Sequence, residues 1–155
     1  MNTISGVAIT LGKALLPEFK TYARQVLVNS KALAAALLDA GLSLITGGTD
    51  NHMMVVDVVK SFDMDGTEAE VTLDRVGITT NKQIIPDDPN PPLRPSGIRI
   101  GTPAVTARGM GEKEVVQLAG WMVDALRHSQ DETHLAKIKK EVEAFCLQFP
   151  VPGIE

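Results

Sequence analysis

The stretch PSGIRIGTP, residues 95–103, predicts a short β-strand whose two faces carry different side chains. Side chains two positions apart along a strand point to the same face, so Ile98 and Ile100 share one face and Arg99 lies on the other. A guanidinium in so rigid and apolar a frame is expected to have an anionic partner, because burying an unpaired charge is costly. Its planar fork matches a carboxylate at two points, and that carboxylate belongs either to a ligand or to this chain.

Helices and strands are mixed around this segment. Asp65 followed by Glu68 has the layout of a capping box and predicts the start of a short helix. Apolar spacing predicts strands over residues 43–46, 53–59, 78–82 and 97–101, and helices over residues 2–13, 18–40, 66–76, 112–128 and 131–149. We therefore expect an α+β fold, an α/β sandwich in which a small, mostly antiparallel four-stranded sheet carries helices on one face.

The first helix is separated from the rest of the chain by Pro17. Its residues alternate small and apolar groups with few charges, which is typical of a helix that packs against something larger. We expect residues 1–16 to form an N-terminal helical arm belonging to a larger neighbouring domain. Residues 17–155 are then expected to form one small domain.

A proline-rich loop precedes the Arg99 strand. Residues 84–95 contain five prolines, which stiffen the backbone and remove hydrogen-bond donors. Such a loop is either a platform for a ligand or a plain connection, and the composition alone leaves both open. Asp87 and Asp88 lie between these prolines and predict a solvated turn rather than a pair of catalytic carboxylates.

Composition narrows the classes of function. A net charge of −4 with scattered lysines and arginines argues against a nucleic-acid partner. No apolar run reaches membrane-spanning length and the N-terminus lacks the layout of a signal peptide, so we expect a cytoplasmic protein without a membrane partner. The one cysteine, Cys146, cannot form an internal disulfide and is expected to be a small buried hydrophobe.

No catalytic or metal-ligating set emerges from the residue spacing. His52, His128 and His134 are not spaced as metal ligands, and a catalytic role for His52 would need a positioned partner that the sequence does not name. The Gly-Met-Gly of residues 109–111 is a fragment of a dinucleotide loop and is interpreted as a helix entry. Arg99 and a stiff loop without a reactive centre predict a chain that holds a ligand but does no chemistry alone.

Several blocks of the sequence, taken together, resemble one enzyme family. In chain order they are PEFKTY (17–22), GGTDNH (47–52), NK (81–82), PDDP (86–89), SGIRIGTPA (96–104) and RG (108–109). Their order and spacing resemble the C-terminal third of serine hydroxymethyltransferase. The likeness runs nearly the whole length of this chain.

The resemblance implies a fold, a reaction and a role for Arg99. Serine hydroxymethyltransferase is a dimeric pyridoxal-phosphate enzyme of the aspartate-aminotransferase fold type that interconverts serine and glycine with tetrahydrofolate. This chain would be its C-terminal small domain. Arg99 would grip the carboxylate of the amino-acid substrate, and the proline-rich loop would lie near the folate.

The sequence departs from the family pattern at two places, which together comprise four residues that the family uses near folate. The family's folate-contacting asparagine falls at Gln83, and the Ser-Pro-Phe of its folate loop falls at Pro91, Pro92 and Leu93. Backbone contacts to folate can survive these changes, whereas side-chain contacts are put in doubt. The resemblance therefore implies carboxylate recognition more firmly than tetrahydrofolate binding.

The sequence also lacks the family segment that carries the Schiff-base lysine, together with the loop that binds the cofactor phosphate. A protein must anchor and tune a pyridoxal cofactor, so we expect pyridoxal phosphate only in a complete enzyme and none bound covalently to this chain. The partner is then the missing N-terminal, cofactor-binding portion. The alternative is a non-catalytic binding or assembly module, or a truncated gene product, that folds and associates with a second copy of itself.

Overall fold

The computed structural model describes residues 2–153, and seven helices and four strands lie in that range. The helices are α1 (Asn2–Ala14), α2 (Pro17–Asp39), α3 (Val58–Phe62), α4 (Gly66–Arg75), α5 (Pro103–Ala107), α6 (Glu112–Arg127) and α7 (Glu132–Cys146). The strands are β1 (Ser43–Leu44), β2 (Met53–Asp57), β3 (Asn81–Gln83) and β4 (Gly97–Gly101).

The strands form one sheet in the order β1-β2-β4-β3, and each neighbouring pair is antiparallel. The predicted four-stranded antiparallel sheet in an α+β fold is therefore confirmed. Strand β4 has a neighbour on both sides, with Val55 and Asn81 as the register partners of Arg99. The Ile98-Arg99-Ile100 segment thus lies in an interior strand of the sheet.

The two faces of the sheet differ as the Ile-Arg-Ile pattern predicts. Ile98 and Ile100 are buried, and so are Met54 and Val56, which lie opposite them on β2. These side chains join one apolar core with residues of α2, α4, α6 and α7. Arg99 is exposed on the opposite face, which we call the open face. The register of the strands is fixed because apolar side chains are buried on just one face of the sheet. A slip by one residue would move them to the solvent face.

The start and the end of α4 show why two predicted boundaries differ in accuracy. Asp65 accepts hydrogen bonds from the amides of Thr67 (2.8 Å) and Glu68 (2.9 Å), and Glu68 accepts one from the amide of Asp65, so the predicted capping box is confirmed. At the other end the amide of Ile78 donates to the carbonyl of Leu73 (2.9 Å). Ile78 therefore closes the helix instead of opening a strand. Strand β3 accordingly spans residues 81–83, and the predicted range of 78–82 was wrong.

The predicted strand over residues 53–59 is too long. Strand β2 ends at Asp57, whose carboxylate accepts a hydrogen bond from the amide of Lys60 (2.9 Å) and caps the short helix α3. Val58 and Val59 have the side chains typical of a strand, but the capping bond turns the backbone into a helix after Asp57. Helix α3 was not predicted for this reason.

Helix α5 follows β4 directly and is fixed to α2 by buried polar groups. Asn29 on α2 donates to the Thr106 hydroxyl (2.8 Å) and to the Met110 carbonyl (2.9 Å). The Thr102 hydroxyl donates to the Val26 carbonyl (2.9 Å). Buried polar groups need such partners, and each bond joins residues more than 70 positions apart along the chain. The spacing of apolar residues along the chain does not indicate these long-range hydrogen bonds. Helix α5 was not predicted.

Helix α1 has no buried residue. Its apolar side chains are open to solvent, with Ile4 71% and Leu11 62% exposed. Pro17 lies in the first turn of α2, so the predicted break after residue 16 coincides with a helix boundary. The assignment of residues 1–16 to a neighbouring domain stays a prediction; residue 1, and residues 154–155 of the predicted small domain, lie outside the described range. No helix in that range is both long and apolar enough to cross a bilayer.

Candidate functional site

The guanidinium of Arg99 lacks a carboxylate partner among residues 2–153. Its Nη2 donates one long hydrogen bond of 3.4 Å to Oδ1 of Asn81, the residue beside it on β3. A hydrogen bond of this length to a neutral amide oxygen is weak. The alternative of a structural ion pair within the chain therefore finds no support in the described range, and the planar fork is available to an external anion.

A cavity of about 510 Å³ lies on the open face, next to the strand that pairs with β4; Arg99 is not one of its lining residues. Val55, the register partner of Arg99 on β2, lines it, as does Gln83 at the end of β3. The remaining wall is formed by the turn between β1 and β2 and by the start of the proline-rich loop: Ile45, Thr46, Gly48, Thr49, Asp50, Asn51, Met53, Met54, Ile84 and Pro86. Hydrophobic walls with a few polar groups are typical of small-molecule sites.

The four predicted folate positions are not all at this cavity. Gln83 is half-buried in its wall and donates to the carbonyl of Ile84 (3.1 Å). Pro91, Pro92 and Leu93 are exposed and do not line the cavity. Leu93 is 80% exposed, and its carbonyl accepts a hydrogen bond from Thr67 at the start of α4 (3.0 Å). The structure thus brings Gln83 to the open face with Arg99 and leaves the other three outside the cavity lining, with Leu93 bonded to the start of α4. A folate role for them stays a prediction.

Asp88 holds the proline-rich loop in one shape. Its carboxylate accepts four hydrogen bonds, from the amides of Ile85 (3.2 Å), Asn90 (3.0 Å) and Ser96 (2.9 Å) and from the Ser96 hydroxyl (2.6 Å). Ser96 is buried immediately before β4, so the carboxylate joins both ends of the loop. The sequence predicts a solvated turn at this position, and it does not show that Asp88 organises the loop.

These hydrogen bonds explain the acidity of Asp88. Burial raises the pKa of this carboxyl, but hydrogen bonds from the hydroxyl and amide of Ser96 and from the amides of Asn90 and Ile85 outweigh it, and the pKa falls to about 2. A carboxylate that accepts several backbone bonds favours the charged form. Asp88 is therefore ionised whenever the loop is folded near neutral pH.

We expect Asp88 to make the protein acid-sensitive. Its pKa is lower in the folded chain than the roughly 3.9 of an unfolded one, so its contribution is complete above that value and is lost as the pH falls toward about 2. Urea unfolding midpoints measured at pH 5 and pH 3 should fall less in Asp88→Asn than in the unmodified chain. Asp87→Asn is the matched control, because Asp87 is exposed with a φ of 54° that asparagine tolerates. Equal pH dependence in the two variants would contradict the assignment.

The turn that precedes β2 is closed by its own side chains. The Thr49 hydroxyl donates to the Met53 carbonyl (2.6 Å), and Oδ1 of Asn51 accepts from the Met53 amide (2.9 Å). His52 is exposed, and its carbonyl accepts from the amide of Thr102 (3.0 Å), which joins the turn to the end of β4. This arrangement gives rigidity to one wall of the cavity.

Residues 109–111 lead into α6, so the predicted helix entry is confirmed. The amide of Gly111 donates to the carboxylate of Glu114 (2.8 Å), so an acid in the first helical turn accepts the hydrogen bond of the backbone N–H just before the helix. Gly109 has a φ of +90°, which favours glycine. Sequence spacing did not reveal a different cluster, in which Asp124, His128 and His134 meet between α6 and α7.

A covalent site for pyridoxal phosphate needs a lysine amine. Within residues 2–153 no lysine lines the cavity or shares the open face of the strands. Lys82, on β3, is the register partner of Ile98 and lies on the other face from Arg99. The open face of the described range thus carries Arg99 without a lysine amine that could join an aldehyde, so the residues at this cavity do not supply the covalent anchor of that group.

Comparison with known proteins gives one consistent family. The sequence model described as serine hydroxymethyltransferase matches residues 1–122. A serine hydroxymethyltransferase of Acidobacterium capsulatum is 48% identical over 153 residues, which is 99% of this chain and 36% of that protein. Serine hydroxymethyltransferases of the Corby and Lens strains of Legionella pneumophila are each 42% identical over 151 residues, 97% of this chain and 36% of theirs.

The match therefore covers nearly all of this chain but little more than a third of its relatives' length. The family model spans the open face with Arg99, the proline-rich loop and most of α6. Because the match is this extensive, the chain belongs to the serine hydroxymethyltransferase family.

Proposed function

We propose that this chain is the C-terminal part of a serine hydroxymethyltransferase and that Arg99 binds the carboxylate of its amino-acid substrate. Residues 17–153 would form the small domain of the aspartate-aminotransferase fold type. The observation that carries the proposal is the Arg99 guanidinium, exposed on the same open face as the cavity and lacking an ion pair within residues 2–153. Similarity to relatives named for this activity supports it.

Arg99 suits carboxylate binding because of its position as well as its charge. It projects from a strand with neighbours on both sides, and the Asn81 amide oxygen lies near one end of its fork. A planar guanidinium offers two parallel N–H donors, which fix both the place and the direction of a carboxylate. Serine or glycine held in this way would present its α-carbon in one orientation, and such positioning can contribute several kcal/mol to a rate.

Pyridoxal phosphate would be held by residues outside this chain, and it would supply the chemistry of bond cleavage at the α-carbon. The role of the chain is then to orient the substrate, to shape one wall of the site and to exclude water. Tetrahydrofolate would reach the site past Gln83, because that side chain lies in the cavity wall. Alone, the chain is expected to be inactive.

A chimaera tests this proposal directly. The segment of the Acidobacterium capsulatum enzyme that matches this chain is replaced by residues 1–155, since the two are 48% identical over nearly the whole segment. We expect the chimaera to cleave serine to glycine in the presence of tetrahydrofolate and pyridoxal phosphate. The isolated chain, mixed with pyridoxal phosphate, should show no visible absorbance from a lysine-bound cofactor.

The result that would contradict the proposal is a folded chimaera without activity. Circular dichroism and gel filtration against the unmodified relative establish whether it has folded. Cofactor absorbance in the chimaera shows that the cofactor site is intact, so that a loss of activity can be assigned to this segment.

A second candidate, a non-catalytic module that assembles with a second copy, is favoured by α1. That helix has no buried residue and exposes a stripe of apolar side chains at helical spacing, namely Ile4, Val7 and Leu11. Exposed apolar stripes are usually covered by another protein surface. In the complete enzyme the covering surface would be the N-terminal portion; for the isolated chain it would be a second copy.

A further inference from the structure

Asp124, His128 and His134 form a cluster on the side of the fold away from Arg99's strand. One ligand atom of each side chain lies within 4.8 Å of those of the other two. Nδ1 of His128 is 2.9 Å from Oδ1 of Asp124, and Nε2 of His134 is 2.9 Å from Oδ2 of the same carboxylate. The carboxylate therefore lies between two imidazole nitrogens.

Two helices hold the cluster in place. Asp124 and His128 are four residues apart on α6, and this spacing puts them on one face of a helix. His134 lies in the first turn of α7, where the carboxylate of Asp131 accepts a hydrogen bond from its amide (3.0 Å) and caps the helix. The two imidazole rings contact each other with centroids 4.3 Å apart. The short turn between the helices thus fixes all three side chains.

The donor set matches the preference of a divalent transition metal. Neutral imidazole nitrogens bind zinc, copper and nickel, and a carboxylate oxygen completes a common three-ligand set. Ligands about 2.0–2.2 Å from a tetrahedral zinc ion are about 3.4 Å apart, so each donor would move by about 1 Å or less from its present position. These are rotations of side chains that are 29–48% exposed, so the backbone need not move.

We propose that Asp124, His128 and His134 bind a divalent transition metal such as Zn²⁺, which joins α6 to α7. The ion would bind the unprotonated nitrogen of each neutral imidazole, with the proton of each ring on its other nitrogen, and one oxygen of the Asp124 carboxylate. Three protein ligands leave a fourth position to water. The site is separate from Arg99 and its cavity, so its presence does not depend on the proposed function.

Zinc titration of the purified, tag-free chain tests the proposal. Isothermal titration calorimetry should show one Zn²⁺ ion per chain, and the melting temperature should rise with zinc because the ion binds the folded form. His128→Gln, His134→Gln and Asp124→Asn should each weaken binding by at least about tenfold, as even residues that only orient metal ligands contribute that much. His52→Gln is the matched control: it removes the remaining histidine, which is exposed elsewhere, and should leave affinity unchanged.

A second measurement separates loss of ligands from loss of folding. Cobalt(II), added in place of zinc, should give the visible absorption of a nitrogen and oxygen site in the unmodified chain and in His52→Gln, and not in the three ligand variants. Unchanged circular dichroism shows that those variants are folded. The proposal is overturned by an absence of saturable binding, by equal binding in all variants, or by binding that is lost in Cys146→Ser instead.

Discussion

Arg99→Ala in the chimaera will lower kcat/KM for serine by roughly 10²–10³-fold. Removing one partner of a desolvated, hydrogen-bonded charge pair costs about 2–5 kcal/mol, and each 1.36 kcal/mol is a factor of ten in rate. In the isolated chain Arg99 is exposed, so this cost arises only where the rest of the enzyme closes over the carboxylate. Steady-state kinetics with serine and tetrahydrofolate give the value.

Arg99→Lys separates charge from geometry. Lysine keeps the positive charge but supplies a point donor in place of a planar fork, so we expect kcat/KM to stay well below that of the unmodified chimaera. Added guanidinium ion should restore part of the activity of Arg99→Ala and none of that of Arg99→Lys, whose side chain fills the space.

The matched control is Arg24→Ala, because Arg24 is exposed on α2 with no ion pair in the described range. It removes the same charge from the chain and should leave the kinetics unchanged. Near-normal kcat/KM in Arg99→Lys would refute the two-point role of the guanidinium, even if Arg99→Ala is impaired.

Gly66→Ala should destabilise the fold by about 3 kcal/mol, at the upper end of the usual cost of forcing extra atoms into a packed interior. Gly66 is buried at the first position of α4, and its amide donates to the carbonyl of Pro95 (2.6 Å). A Cβ built there lies 2.9 Å from that oxygen and closer still to the carbonyl oxygen of Gly97. Both obstacles are backbone atoms, so relief requires the start of β4 to move.

Urea unfolding of the purified chain measures this effect. Gly120→Ala is the control, because Gly120 lies within α6 and a Cβ there meets nothing within 4 Å. Alanine is the better helix former, so Gly120→Ala should raise the free energy of unfolding by about 0.5–1 kcal/mol. The same substitution thus has opposite signs at two helical glycines. A Gly66→Ala chain as stable as the unmodified one would show that the contact with β4 is not as close as described.

The Arg99 strand could be predicted because its information is local. Alternating Ile98, Arg99 and Ile100 give both the strand and its faces, and Asp65 with Glu68 give a helix start within four residues. Helix α3 was not predicted because Val58 and Val59 have side chains that suit a strand. The hydrogen bond that the Asp57 carboxylate accepts from the Lys60 amide favours the helix instead.

The site was less predictable than the fold. Arg99 could be identified from the glycines, isoleucines and prolines around it. Its neighbours on β2 and β3 are known only from the folded sheet, and in the described range they provide no carboxylate partner. Asp88 and the cluster of Asp124, His128 and His134 depend on contacts between separate segments. The four-residue spacing of Asp124 and His128 indicates a shared helix face, but residue spacing carries no signal for the approach of His134 from α7.

The buried bonds between α2 and the end of β4 have a consequence for movement. Asn29 and the carbonyl of Val26 hold Thr106 and Thr102, which follow directly after the Arg99 strand. Shifting α2 against the sheet would leave these groups without partners in an apolar interior, so the helix and the strand travel as one body. Under the proposed function, a surface that covers α1 and contacts the beginning of α2 would therefore also set the distance at which Arg99 meets the substrate carboxylate.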